Sequence, residues 1–324
     1  MDNSNRTANP GELVSDERIR HLAEELAKGP AFDRGCFTLW QEHGFHITPN
    51  HYYQPIPDTS KLNANLWSRP SELPGVDMNV GAQIALLETV SERYCTEYDR
   101  FPAQATEVPF EFHFDQMMFR MVDAEILYCF VRHYRPSRII EIGSGFSTLV
   151  AASACRKNLD EGHKTHLTCI EPHPTQLLRA GVPGLDRLIE RPLEEVLENE
   201  RSIFSKLGEN DILFIDSSHV LRIGNDVHCE YLDLLPRVNP GVLIHVHDIF
   251  LPLEYPRQWV MEEFRFWTEQ YLLQAFLTFN SAFSVIWAGC YMHLMHGDKL
   301  RKAFRTYDPA TVLPGSFWMQ RKIS

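Results

Sequence analysis

Arg138-Ile139-Ile140-Glu141-Ile142-Gly143-Ser144-Gly145-Phe146-Ser147-Thr148-Leu149-Val150-Ala151 is the stretch whose reading decides the fold of this chain. Arg138–Ile142 is a short run rich in β-branched residues and predicts a strand. Gly143 and Gly145 predict a sharp turn in which backbone can approach a ligand closely. A helix follows through Leu149, Val150 and Ala151. Strand, glycine turn and helix in that order form the first unit of an alternating β/α architecture.

The same alternation continues downstream. Strands are expected at His166–Glu171, Arg187–Glu190, Asp211–Asp216 and Gly241–Asp248, with helical stretches between them. Near-continuous apolar runs between helices indicate strands covered on both faces, hence a mainly parallel sheet. After the fifth strand a long helix is expected over roughly 256–273. Ala275–Phe279 and Phe283–Gly289 then read as two strands joined by a tight Asn280-Ser281 turn. So short a connection makes that pair antiparallel. The expected fold is therefore α/β: a doubly wound, mainly parallel, seven-stranded sheet with one antiparallel strand.

Upstream, Asp123–His133 predicts a helix that Pro136 stops. Residues 1–15 are polar and expected to be mobile. Ser15, Asp16 and Glu17, followed by Ile19, Leu22, Ala23 and Leu26, predict a capped amphipathic helix ending near Gly29-Pro30. Met78–Tyr98 carries apolar residues at helical spacing, and no stretch before it makes a convincing sheet. The organisation expected is a mostly helical accessory or cap region over 1–110 and a Rossmann-like catalytic domain with a C-terminal tail over 111–324.

Thirty-one Lys and Arg against 43 Asp and Glu give a net charge of −12. That balance argues against nucleic acid as a partner, because backbone phosphates are bound through a basic face. The seven cysteines include no C-x-x-C pair, as in reduced thiols of a cytosolic protein. The polar N-terminus and the absence of a long apolar run point to a cytoplasmic protein with no membrane partner. A helical N-terminal segment would suit a homodimer, and the expected partner is a small-molecule substrate.

Two groups of residues carry chemistry. In the first, the glycine loop opens a helix whose free N–H groups favour an anionic ligand. Thr148 stands where a dinucleotide-binding loop would place its third glycine, which turns the reading away from a pyrophosphate. Glu171, at the end of the second strand, is placed to accept both hydroxyls of a ribose. The second group comprises Asp216, Ser217, Ser218 and His219 after the fourth strand, with His245, His247 and Asp248 at the end of the fifth. His245 and His247 share a strand face, whereas Asp248 points the other way unless the strand has already ended. His245 reads equally well as a core residue.

E-I-G-S-G-F-S-T, the acidic end of the second strand, D-I-L-F-I-D-S-S-H and P-G-V-L-I-H-V-H-D together resemble the class I S-adenosylmethionine-dependent methyltransferases over roughly 113–295. The nearest likeness is to the bacterial small-molecule branch with D-x-x-H after the fourth strand. The resemblance implies S-adenosylmethionine as cofactor, held by Glu141, Gly143, Ser144, Gly145, Glu171 and Asp216, with adenine near Arg191-Pro192-Leu193. It implies methyl transfer to an oxygen, less readily a nitrogen, with Asp216, His219 and His247 as catalytic candidates.

Similarity to the catechol O-methyltransferase type further suggests a divalent metal on Asp216, His247 and Asp248, completed by His219 or His245. Carboxylates alone would favour Mg²⁺, whereas imidazole would favour Mn²⁺, Fe²⁺ or Zn²⁺. A metal-free site would instead use His219 or His247 as general base. Two rival functions stay open: a metal-dependent enzyme of other chemistry, and a non-catalytic ligand-binding protein. The aromatic stretch His51–Asp58 reads either as a pocket lining or as packing, and Phe112-His113-Phe114-Asp115 reads the same two ways, with packing the favoured one.

Overall fold

A computed structural model describes residues 16–28 and 33–323. Its sheet runs β3-β2-β1-β4-β5-β7-β6. The strands are β1 (Arg138–Ile142), β2 (His166–Ile170), β3 (Arg187–Ile189), β4 (Ile212–Ile215), β5 (Leu243–Val246), β6 (Phe283–Ala288) and β7 (Phe317–Arg321). β1 pairs in parallel with β2 and β4, and β4 with β5, while β7 runs antiparallel to both β5 and β6. The fold is the expected doubly wound sheet with one reversed strand.

Alternation along the strands divides the core in two. Ile139, Leu167, Ile212, Phe214 and Leu243 share one apolar cluster with Ile126, Phe130, Leu149 and Val150. Ile140, Ile142, Ile170, Leu213, Ile215 and Ile244 belong to another, with Leu193, Val196, Tyr231 and Leu273. Helices therefore cover both faces, which is why these strands show continuous apolar runs.

Before β1 lie α1 (Asp16–Lys28), α2 (Arg34–Glu42), α3 (Val80–Tyr98) and α4 (Asp123–Tyr134). After it come α5 (Phe146–Asp160), α6 (Gln176–Arg179), α7 (Leu193–Asn199), α8 (Ser202–Ser205), α9 (Asp226–Cys229), α10 (Arg257–Met261), α11 (Glu269–Leu277) and α12 (Gly289–Ala303). α3 buries Leu87, Val90, Tyr94 and Tyr98, spaced three and four apart, in the first cluster. No helix among the described residues is long and apolar enough to cross a membrane.

The chain divides into two compact units, Met1–Asn63 and Ala64–Ser324. In the first, the side chain of Asp33 caps α2 by accepting from Cys36 N at 2.8 Å. Residues 1–15, with the Ser15 cap, and the Gly29-Pro30 stop lie outside the described residues. The rings of His51, Tyr52 and Tyr53 meet at tilted angles, and both tyrosines are exposed. In the second unit Phe112 and Phe114 are buried against Phe101, so that motif is packing.

Two expectations after β5 are corrected. The long helix over 256–273 is two short ones, α10 and α11. Trp259, Trp267, Tyr255 and Phe250 pack edge to face, with Arg265 stacked over both tryptophans, and a helix continued through 262–268 could not bring these rings together. The strand expected at Ala275–Phe279 is the end of α11 and the loop after it. Its buried residues are Glu269, Gln270, Leu273 and Leu277, and the three-residue step from Gln270 to Leu273 followed by the four-residue step to Leu277 is a helical spacing that a strand could not bury on one face. The partner of β6 is therefore not a hairpin neighbour. It is the tail Phe317–Arg321, which enters between β5 and β6 as the reversed strand.

Candidate functional site

Strand order reverses between β1 and β4, since β1 is followed by β2 on one side and β4 by β5 on the other. In such sheets ligands bind beyond the carboxyl ends at that switch point. Here the loops after β1 and β4 nearly touch. Gly143 has φ +76°, and a Cβ on it would lie 1.8 Å from the carbonyl oxygen of Asp216. Its N–H donates to Ile170 O, while Asp216 N donates to Ile142 O. Gly145 differs, because a Cβ there would meet nothing within 4 Å.

Glu141 lies buried beneath this loop. Its carboxylate accepts from Ser147 Oγ (2.6 Å) and Thr148 Oγ1 (2.8 Å), both in the first turn of α5, and from Cys169 Sγ (3.1 Å). Burial outweighs those hydrogen bonds and pushes its pKa up to about 7. The residue thus anchors the loop from below. Glu171, at the tip of β2, accepts from Ser144 N at 3.2 Å and from His173 N at 2.7 Å. Loop and acid therefore share one edge of the sheet. The expected adenine region adjoins them: Glu171 N donates to Ile189 O at the end of β3. Beyond it Arg191 pairs with Glu200, and Leu193 is buried.

Around the end of β4, three donors converge. Ligand atoms of Asp216, His219 and Asp248 all lie within 4.8 Å of one another. His219 Nε2 is 3.3 Å from Asp216 Oδ1 and 3.7 Å from Asp248 Oδ2. Asp248 reaches the group because β5 has ended at Val246 and its backbone is left-handed, with φ +54°. The loop carrying His219 is held by Asp226, which accepts from Ser218 N and Oγ.

His247 stands beside this group, its Nε2 3.8 Å from Asp248 Oδ1 and its ring against Phe119 at 4.9 Å. His245 is fully buried, stacked on Phe214 at 3.9 Å, and its Nε2 meets Ser316 Oγ. The five predicted residues therefore separate: three donors together, one histidine adjacent, one in the core.

Charge follows the same division. Burial opposes the charged form of His219, but hydrogen bonding to Asp216 and Glu269 raises its pKa well above the ordinary value. Burial likewise opposes charge on His247, and the carboxylates of Asp216, Asp248 and Asp123 outweigh it. Burial pushes Asp216 up, yet His247 and His219 hold it below the usual carboxylate range. Asp248 is raised, with burial dominant. His245 is lowered well below its ordinary value by burial and by His247, as a neutral core histidine should be.

Several residues here were missed in the sequence. Glu269, fully buried at the start of α11, has Oε2 2.9 Å from His219 Nδ1. Trp267 lies over the same imidazole at 4.3 Å. Asp123 accepts from Gly315 N and Ser316 N, holding the start of β7. Thr268-Glu269 was itself a helix-start signal, masked by the apparent continuity of 256–273.

Residues 140–249 match the family model described as a methyltransferase domain. The chain is 30% identical over 203 residues to an uncharacterized protein of Archaeoglobus fulgidus, covering 60% of this chain and 85% of that one. Two solved structures overlap it loosely. An O-methyltransferase from Bacillus cereus in complex with SAH is 16% identical with a TM-score of 0.36, over 74% of this chain and 91% of that chain. The plantazolicin methyltransferase BamL, in complex with a triazolic desmethylPZN analog and SAH, is 14% identical with a TM-score of 0.38, over 76% and 100%. The chain belongs to the same family as the archaeal protein, and residues 140–249 within it match a methyltransferase domain.

Proposed function

We propose that this protein transfers the methyl group of S-adenosylmethionine to an oxygen, less readily a nitrogen, of a small molecule, assisted by a divalent cation. The observation that carries the proposal is the meeting of Gly143 with the Asp216 carbonyl, because it puts the cofactor loop and the Asp216–His219–Asp248 group on one crevice.

The residues fit both the cofactor and a cation. Open space at Gly145, a half-buried Glu171 carboxylate beside it and the first turn of a 15-residue helix suit a nucleoside with a small anionic end. Two carboxylates and one imidazole suit Mn²⁺, Fe²⁺ or Zn²⁺ better than Mg²⁺. When bound, such a cation would lower the pKa of an acceptor hydroxyl and orient it. The chain's own part is alignment and proton removal. Trp267 and Phe119 limit how an acceptor can enter beside His219 and His247. His247 is the candidate for proton removal, because it stands next to the donors without belonging to them and a cation on Asp216 and Asp248 would offset the carboxylates that favour its charged form. Alignment of this kind is worth ~7–11 kcal/mol in favourable cases, against ~10²–10⁴-fold for a positioned base.

A second proposal, methyl transfer without a metal, is favoured by one observation: Asp216, Asp248 and Glu269 surround His219 and hold it charged. Titration calorimetry with S-adenosylmethionine, with and without Mn²⁺, separates the possibilities. Cofactor binding together with one equivalent of Mn²⁺ is expected. Absence of cofactor binding at millimolar concentration overturns the methyltransferase proposal, and cofactor binding without Mn²⁺ leaves the metal-free version.

A further inference from the structure

Three consecutive residues hold one histidine, two of them at its ring and two at its backbone carbonyl. Trp267 covers the face of His219, with ring centroids 4.3 Å apart. Thr268 N and Glu269 N both donate to the carbonyl of His219, at 3.0 and 3.1 Å. The Glu269 carboxylate lies 2.9 Å from His219 Nδ1. Its other oxygen accepts from Tyr231 O–H at 3.1 Å, so both are committed. Thr268 Oγ1 accepts from Leu221 N, fastening the same loop two residues further on.

This arrangement has a cost that calls for a reason. Glu269 is fully buried, and buried carboxylates without a strong partner are destabilising. His219 also has a left-handed backbone, φ +59°. We propose that Glu269 is a positioning residue that acts through His219. By accepting a hydrogen bond from Nδ1–H it fixes the ring plane and directs Nε2 at Asp216 and Asp248, so that Nε2 is the nitrogen that would exchange its proton for a cation. A metal-ligating histidine commonly needs such a partner on its second nitrogen. The inference rests on the proposal that Asp216, His219 and Asp248 hold a divalent cation. It goes beyond it by assigning the function of a residue that touches none of the reacting groups.

The test compares Mn²⁺ and SAH affinities of the full-length wild type and Glu269→Gln, by calorimetry and by Mn²⁺ electron paramagnetic resonance. Glutamine keeps the shape of the site but can present either an acceptor or a donor to Nδ1, so the tautomer is no longer dictated. Mn²⁺ affinity is expected to fall ~10–100-fold while SAH affinity stays at the wild-type value. Glu269→Asp, which keeps the charge, should restore part of the loss. Should Glu269→Gln fail to fold, Glu269→Asp is measured against the wild type in the same way, with a smaller fall in Mn²⁺ affinity expected. Equal Mn²⁺ affinity in wild type and variant, or equal weakening of Mn²⁺ and SAH, overturns the inference and leaves the cation site standing. A wild type that binds SAH but no Mn²⁺ overturns the cation site and the inference with it.

Discussion

Gly143 and Gly145 stand two residues apart in one loop, yet the structure gives them different work. At Gly143 a methyl group would sit 1.8 Å from the Asp216 carbonyl oxygen and 2.7 Å from its carbon, both backbone atoms that no side-chain rotation can move. Gly143→Ala therefore has to displace the start of the Asp216–His219 loop or the end of β1. Holding alanine at φ +76° costs ~1–2 kcal/mol. Breaking the Asp216 N to Ile142 O hydrogen bond adds ~0.5–1.5 kcal/mol. A loss of ~2–3 kcal/mol should lower the melting temperature by ~5–10 °C in a unit of this size. Gly145→Ala meets no atom of the protein and should melt with the wild type. If the cofactor lies against Gly145, that variant should nonetheless bind SAH at least ~10-fold more weakly, a difference of ~1.4 kcal/mol. Circular dichroism melts and SAH titration on the two variants decide the matter. A Gly143→Ala protein that melts with the wild type refutes the packing argument, and a Gly145→Ala protein with undiminished SAH affinity refutes the placement of the cofactor.

Glu171→Gln removes the charge that accepts from Ser144 N and His173 N. Charge-assisted hydrogen bonds contribute ~1.5–3 kcal/mol, so SAH should bind ~10–100-fold more weakly with the melting temperature little changed; equal affinity would free Glu171 from any ribose role. Glu141 provides a pH test, because its folded pKa is about 7 against an ordinary 4.5. Between those values the folded state keeps a proton that the unfolded chain has released, so the stability present below the lower value is lost as pH rises through the upper one. The full effect is about 3 kcal/mol. Glu141→Gln does not titrate. Its stability relative to wild type, read from urea unfolding, should improve by that amount from about pH 4 to about pH 8, whereas a constant difference would show that folding leaves the Glu141 pKa unshifted.

The parts of the fold legible in the sequence were those where local pattern and tertiary environment agree. β1, β2, β4 and β5 are apolar on both faces because helices cover both, and the run of such residues announced it. Glycines and acids at their carboxyl ends marked the crevice for the same reason, since the topology fixes which ends meet. What stayed hidden depended on distant partners. Phe317–Arg321 carries no sign that it will enter between β5 and β6, and Ala275–Leu277 looks apolar enough for a strand until Gln270, Leu273 and Leu277 are seen buried together, a step of three that a strand face cannot hold. Glu269 was hidden because the aromatic cluster that ends α10 is assembled from Phe250, Tyr255, Trp259 and Trp267, which no short window displays together.

The convergence of Asp216, His219 and Asp248 is likewise not a property of D-x-x-H and H-D taken as motifs. Asp248 immediately follows His247, and a continued strand would aim their side chains at opposite faces. It is the left-handed backbone at Asp248 that turns its carboxylate toward His219 Nε2, and the same conformation at His219 that presents the ring. Aspartate and histidine tolerate this region better than most residues, but it has to be supported from outside. Thr268 and Glu269 support His219 through its carbonyl. Ile249 N donates to Gly315 O beside Asp248, and Gly315 leaves room there, since a Cβ on it would come within 3.2 Å of the Asp248 Cα. Asp123 in turn holds Gly315 and Ser316 through their amides. The site is thus set by residues before β1, after α10 and at the entry to β7. That explains why a motif at the ends of β4 and β5 can name the candidate ligands without determining which of them meet.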